Sequence, residues 1–145
     1  MQIKWMQCRS YDEAKSFCGV VYLHEWHDKP FYWGICDKSV FGGTTRILDG
    51  VKRNPRYGIS YRHWIDGCLR HGGKLYMGIP SGSAGRSLEE VERTLVAQYP
   101  SELNDDRDGR MVIRNIEHSG DVPPCIKARL TPAPADRPLE AAAGG

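Results

Sequence analysis

No run of about 18 apolar residues occurs in the 145-residue sequence, so no segment is expected to span a bilayer as a helix. Met1-Gln2-Ile3-Lys4-Trp5 lacks the basic segment, apolar stretch and small-residue cleavage site of a secretory signal. Both absences lead us to expect a cytoplasmic protein with no membrane partner. Paired cysteines are missing as well. Cys8, Cys18, Cys36, Cys68 and Cys125 are odd in number and scattered, with no Cys-x-x-Cys and no zinc-finger spacing. That pattern argues against a disulfide framework or a structural zinc site and leaves reduced, partly buried thiols. The net charge of +2 is too small to name a partner. No internal repeat is visible.

What is present describes a globular domain. Apolar residues make up 40% and charged residues 26% of the chain, both ordinary for a globular protein. A chain of this length is expected to form one domain, here residues 1–118, followed by a Pro/Ala/Gly-rich disordered tail, 119–145. Basic residues gather in one stretch. Between Asp37 and Arg62 stand Lys38, Arg46, Lys52, Arg53, Arg56 and Arg62, against Asp37 and Asp49. A phosphate-facing surface has this composition, and so does an ordinary solvated helix face.

The element pattern begins with Ser10-Tyr11-Asp12-Glu13, which has the spacing of a capping box and predicts a short helix over 11–17. Val20-Val21-Tyr22-Leu23 and Phe31-Tyr32-Trp33-Gly34-Ile35 flank a polar turn and read as a β-hairpin. A short helix is expected from Arg46 to Val51, closed by Asn54-Pro55. Trp64, Ile65, Cys68 and Leu69 form an apolar stripe at helical spacing that Gly72-Gly73 ends. Residues 74–79 read as a strand. Ser87-Leu88-Glu89-Glu90 opens a helix with Leu88, Val91, Leu95 and Val96 on one face, and Met111 to Ile116 reads as a late strand. The order β-β-α-α-β-α predicts an α+β domain with a small, mainly antiparallel three-stranded sheet flanked by helices.

Three features carry chemistry. Tyr22 and Tyr32 stand on the two hairpin strands with nine residues between them, so two phenols can converge on one face. Glu92 lies at the edge of the stripe of its helix, where a carboxylate calls for a partner or a metal. Arg46, with Arg62-His63 behind it, offers fork-shaped cationic groups suited to phosphate.

Taken together, these residues resemble a known family. Val20-Val21-Tyr22 and Tyr32-Trp33-Gly34 look like the two tripeptides that name the GIY-YIG nucleases. The run Glu92-x-x-Leu95-Val96, Tyr99-Pro100, Leu103-Asn104 is similar to the family's third helix, in which a glutamate binds the divalent metal and an asparagine closes the motif. The resemblance covers about Gly19 to Asn104. It departs from the family in the valines at 20 and 21, in Trp33 for a central Ile beside the presumed site, and in Gly50 where many members carry His.

The resemblance implies an endonuclease that hydrolyses DNA, with Mg²⁺ or Mn²⁺ on Glu92. By it, Tyr22 is the general base or water-orienting group and Tyr32 positions water or phosphate. Arg46 neutralises charge, with Arg62 as the fallback. His63 and His71 are the candidate substitutes for the missing His. Lys38, Lys52, Arg53 and Arg56 would track the DNA backbone, and Asn104 would close the motif. A non-catalytic nucleic-acid- or protein-binding module on the same scaffold is the alternative.

Overall fold

A computed structural model describes residues 1–43, 47–48, 51–52, 58–82, 85–104 and 109–130. The elements are β1 (Gln2–Cys8), α1 (Tyr11–Ala14), β2 (Val20–Trp26), β3 (Lys29–Cys36), β4 (Ile47–Leu48), β5 (Val51–Lys52), α2 (Gly58–Arg70), β6 (Gly73–Ser81), α3 (Leu88–Gln98), β7 (Glu117–Gly120) and α4 (Pro124–Leu130). The main sheet has five strands in the order β3-β2-β6-β1-β7. Its neighbours are antiparallel except β1 and β7, which run parallel.

The expected three-stranded antiparallel sheet is therefore corrected to a five-stranded mixed one, still within an α+β architecture. β1 is an added interior strand. It buries Ile3 and Trp5 on one face and Cys8 on the other, while Met6 points outward and blurs the alternation. β7 consists of Glu117-His118-Ser119-Gly120 and has no apolar side chain to betray it. It is held instead by pairing and polar contact. Trp5 Nε1 donates to His118 Nδ1 at 3.0 Å, and the two rings stack. At Gly120 a Cβ would overlap the Trp5 carbonyl oxygen, so glycine alone permits the approach. Residues 119–130, placed in the tail by composition, complete β7 and form α4, whose Ile126 is fully buried.

Two further expectations change. Ile47–Leu48 and Val51–Lys52 pair as short antiparallel strands where a helix was expected. Met111 to Ile116 joins no strand. Its Val112 and Ile113 amides donate to the Thr94 hydroxyl of α3, at 3.2 and 3.1 Å, and so need no ladder partner.

The sheet is covered on both faces. Ile3, Trp5, Val21, Leu23, Trp33 and Tyr76 meet α3 and α4 on one side. Cys8, Val20, Tyr22, Leu75 and Met77 meet α1 and α2 on the other. Burial on both sides explains the unbroken apolar run Val20-Val21-Tyr22-Leu23 in β2. The β2–β3 hairpin turns on His27 and Asp28, both at positive φ (53° and 61°), as a two-residue turn matched to strand twist requires. β3 is an edge strand, which accommodates Pro30. α3 begins with a complete capping box between Ser87 and Glu90.

Thr94 is fully buried, donates to the Glu90 carbonyl at 2.9 Å and receives the two amides of the 111–116 segment. Thr94→Val keeps the shape but orphans both donors, so it is expected to lower unfolding free energy by about 2–4 kcal/mol, against about 1 kcal/mol or less for Thr94→Ser. Urea midpoints measure this, and equal midpoints for the two variants would refute it.

Candidate functional site

The hairpin assembles the site. Tyr22 pairs with Gly34 across the β2–β3 ladder, and its ring lies over that glycine. A Cβ on Gly34 would overlap both the ring and the hydroxyl of Tyr22. The glycine is thus what lets the phenol of one strand cross the next toward the sheet rim. Tyr32 lies beside it, with ring centroids 6.2 Å apart, and Phe41 closes the other side edge-on at 4.9 Å.

The pairing slips between His24 and Glu25, so that Phe31 is an extra residue in β3. This bulge brings both Phe31 and Tyr32 against His24, at 5.4 and 6.4 Å. His24 also meets Tyr22 at 5.7 Å and Trp64 of α2 at 5.4 Å. Burial pulls its pKa down to about 4, so it is a neutral ring at pH 7 and an aromatic floor rather than a cation. His24 was not among the candidates from sequence, although its position two residues after Tyr22 in a strand places it on the same face.

The outer edge of β3 is covered by the segment after α3. The Trp33 amide donates to Asn104 Oδ1 at 2.7 Å, and Asn104 Nδ2 returns a bond to the Trp33 carbonyl at 3.0 Å. The Leu103 amide donates to the Phe31 carbonyl at 2.9 Å, and the Ser101 hydroxyl donates to Asn104 Oδ1. The Trp33 indole donates to the Tyr99 carbonyl at 2.9 Å. Asn104 therefore does for β3 what a neighbouring strand would do. Trp33 itself points to the α3 face, away from both tyrosines, so its size does not crowd them.

The remaining sequence candidates are dispersed. Glu92 is half-buried on α3, the helix whose Val91 and Leu95 pack with Leu23 and Trp33. It stands across the sheet from Tyr22 and Tyr32, with β3 as the strand that both sides touch. Arg62 of α2 pairs with Asp12 at 3.0 Å and lies 4.6 Å over the Tyr11 ring, which ties α2 to α1. Bonds from Lys15 and then Arg62 hold the Asp12 carboxyl below its usual range. His63 is exposed and lines an apolar cavity with Trp64, as does His71. Lys38 is exposed after β3, and Lys52 lies in β5. Arg46, Arg53 and Arg56 fall outside the described residues.

On the opposite face Glu25 is fully buried. One carboxylate oxygen accepts the Cys125 amide at 3.2 Å, and the other has no hydrogen-bond partner among the described residues. Burial raises its pKa and pushes the neighbouring Cys125 thiol up to about 12, so that thiol is inert. No disulfide joins any of the five cysteines. Among the described residues no helix is long and apolar enough to cross a membrane.

No protein-family model, curated protein or solved structure matches this chain.

Gly34→Ala is expected to destabilise the protein by about 1–3 kcal/mol, because the new methyl displaces the Tyr22 ring. The cost should fall by about 1 kcal/mol or more in a Tyr22→Leu background. Strict additivity of the two substitutions in denaturant unfolding would show that they do not touch.

His24 also makes stability depend on pH. The unfolded residue takes a proton near its ordinary pKa of 6.5 and the folded one only near 4. Acid therefore favours unfolding across that window, by up to about 3 kcal/mol. Glu25, raised above its ordinary 4.5, acts oppositely, and its stabilising contribution declines as pH rises past that value. The difference in stability between the wild type and His24→Phe isolates the histidine and should shift between pH 7 and pH 4 in favour of the variant. A difference independent of pH would exclude this.

Proposed function

We propose that the chain is a divalent-metal-dependent endonuclease that hydrolyses DNA phosphodiester bonds in a cytoplasmic setting. The observation that carries this reading is the Tyr22 ring laid across Gly34 of the edge strand, with Tyr32 alongside. A pair of tripeptides whose two phenols converge on one face is what the resemblance to the GIY-YIG nucleases leads one to look for. α3, which carries Glu92, packs on the other face of the same edge strand, so a phosphate shared with the tyrosines would have to sit at the rim of β3. Asn104, at the end of the resembling segment, holds that strand in place.

Among the described residues no three His, Cys, Asp or Glu side chains stand together as a ligand set. A divalent ion would therefore rest on the single carboxylate of Glu92, with water and phosphate oxygens completing its shell, an arrangement Mg²⁺ tolerates. Bound there, it would supply Lewis-acid polarisation of the phosphoryl group and charge for the leaving oxygen. Tyr32, half-buried, would orient water or a phosphate oxygen. Tyr22 is the candidate proton acceptor. An ordinary phenol with a pKa near 10 is a weak base, so this role depends on nearby positive charge. Lys38 and Lys52, with Arg46, Arg53 and Arg56, would supply that charge and contact the backbone.

A non-catalytic nucleic-acid-binding module on the same scaffold is favoured by one observation. Arg62, the fallback arginine, is already paired with Asp12.

The test is cleavage of plasmid, linear duplex and branched DNA with Mg²⁺, Mn²⁺ or EDTA. Cleavage should require the metal. It should fall at least about 100-fold in Glu92→Gln and about 10²- to 10⁴-fold in Tyr22→Phe. Metal-independent cleavage, or full activity of Glu92→Gln, would overturn this assignment.

A further inference from the structure

Beside the tyrosine pair, the end of the hairpin and the outer side of α2 enclose a cavity of 530 Å³. Trp26, Phe31, Trp64 and Leu103 line it, and His63 and His71 stand at its edge. Trp26 is 53% exposed, Trp64 47% and Leu103 67%, so a concave apolar surface faces water. Such a surface calls for a partner. Its indoles are set in place before any partner arrives. Trp26 stacks on His27 at 5.2 Å and 15°, and Trp64 rests on His24.

Three observations select the occupant. Trp26, Phe31 and Trp64 put aromatic rings in the walls, and such rings bind flat aromatic groups regardless of their exact substituents. The cavity also begins one ring beyond the tyrosines, since His24 touches both Tyr22 and Trp64. Glu102 adds a carboxylate acceptor, suited to an exocyclic amino group.

We propose that this cavity receives an unpaired nucleobase from the strand whose phosphate meets Tyr22 and Tyr32; the position of that phosphate rests on the nuclease reading. A volume of 530 Å³ is within the usual range for ligand sites. The substrate class that follows is DNA whose target base is single-stranded, mismatched or extruded, because a base held in a duplex stack cannot reach the indoles.

The experiment uses a short single-stranded oligonucleotide with a central 2-aminopurine, and the same strand with an abasic site there. Both are titrated with the full chain in EDTA. Binding should quench the 2-aminopurine fluorescence. Trp26→Ala, Trp64→Ala and the abasic strand should each weaken binding about 10-fold or more, and Trp26→Phe less than about 3-fold. Unchanged unfolding midpoints in the alanine variants show that the loss is local. Equal affinity for the abasic strand, or absence of quenching, overturns the base site even if metal-dependent cleavage is found. So does a dimer in sedimentation that Trp26→Ala abolishes, because the cavity would then hold a second copy. Quenching with the expected variant losses, but no cleavage in Mg²⁺ or Mn²⁺, upholds the base site and removes the nuclease reading.

Discussion

Trp33 is the fastening on which the hairpin, and so the tyrosine pair, depends. Its indole is fully buried against Trp5 and Tyr99, its ring N–H is taken by the carbonyl of Tyr99, and its main chain is bound twice by Asn104. Burial of a tryptophan side chain stabilises by about 4–6 kcal/mol at the usual area coefficient. Here that stabilisation is spent on locating an edge strand, the element a sheet holds least firmly. Because strand side chains alternate, an indole seated beneath the strand sends Tyr32 and Gly34 to the upper face. The large Trp33 side chain is then an anchor on the far side rather than an obstruction to the tyrosines.

The upper face repeats one device, the packing of ring against ring. Tyr22, His24, Tyr32, Phe41 and Trp64 contact one another in sequence, and His24 is kept neutral by its burial among them. A floor of this kind has little dielectric response. A charge brought above it is therefore weakly screened.

Local pattern made several elements legible in the sequence. The hairpin strands, the apolar stripe of α2, the strand at β6 and the capping box of α3 all emerge within a residue or a few of their places. The proximity of Tyr22 to Tyr32 was legible for the same reason. What local pattern cannot show is long-range pairing. β7 has no hydrophobic residue, and its existence is decided by Trp5 and by a glycine at position 120. The 111–116 segment has the composition of a strand, yet a threonine hydroxyl meets its donors first. An amphipathic helix likewise shows which of its faces is buried but not which face of the sheet it covers. The location of Glu92 relative to the tyrosines was therefore beyond reach. Asn104 was visible as the close of a motif, while its office as a substitute strand was not.

The parallel pairing of β1 with β7 has a consequence in time. Trp5 and His118 are partners 113 residues apart. At a synthesis rate of roughly 5–20 residues per second, the indole of Trp5 waits about 6–20 seconds for the histidine that covers it. The hairpin that carries Tyr22 and Tyr32, being local, closes in microseconds once released. The groups that fasten Trp33, Tyr99 and Asn104, follow it by 66 and 71 residues, so the tyrosine pair is fixed only once α3 is made, and the β1–β7 pairing that completes the sheet comes later still.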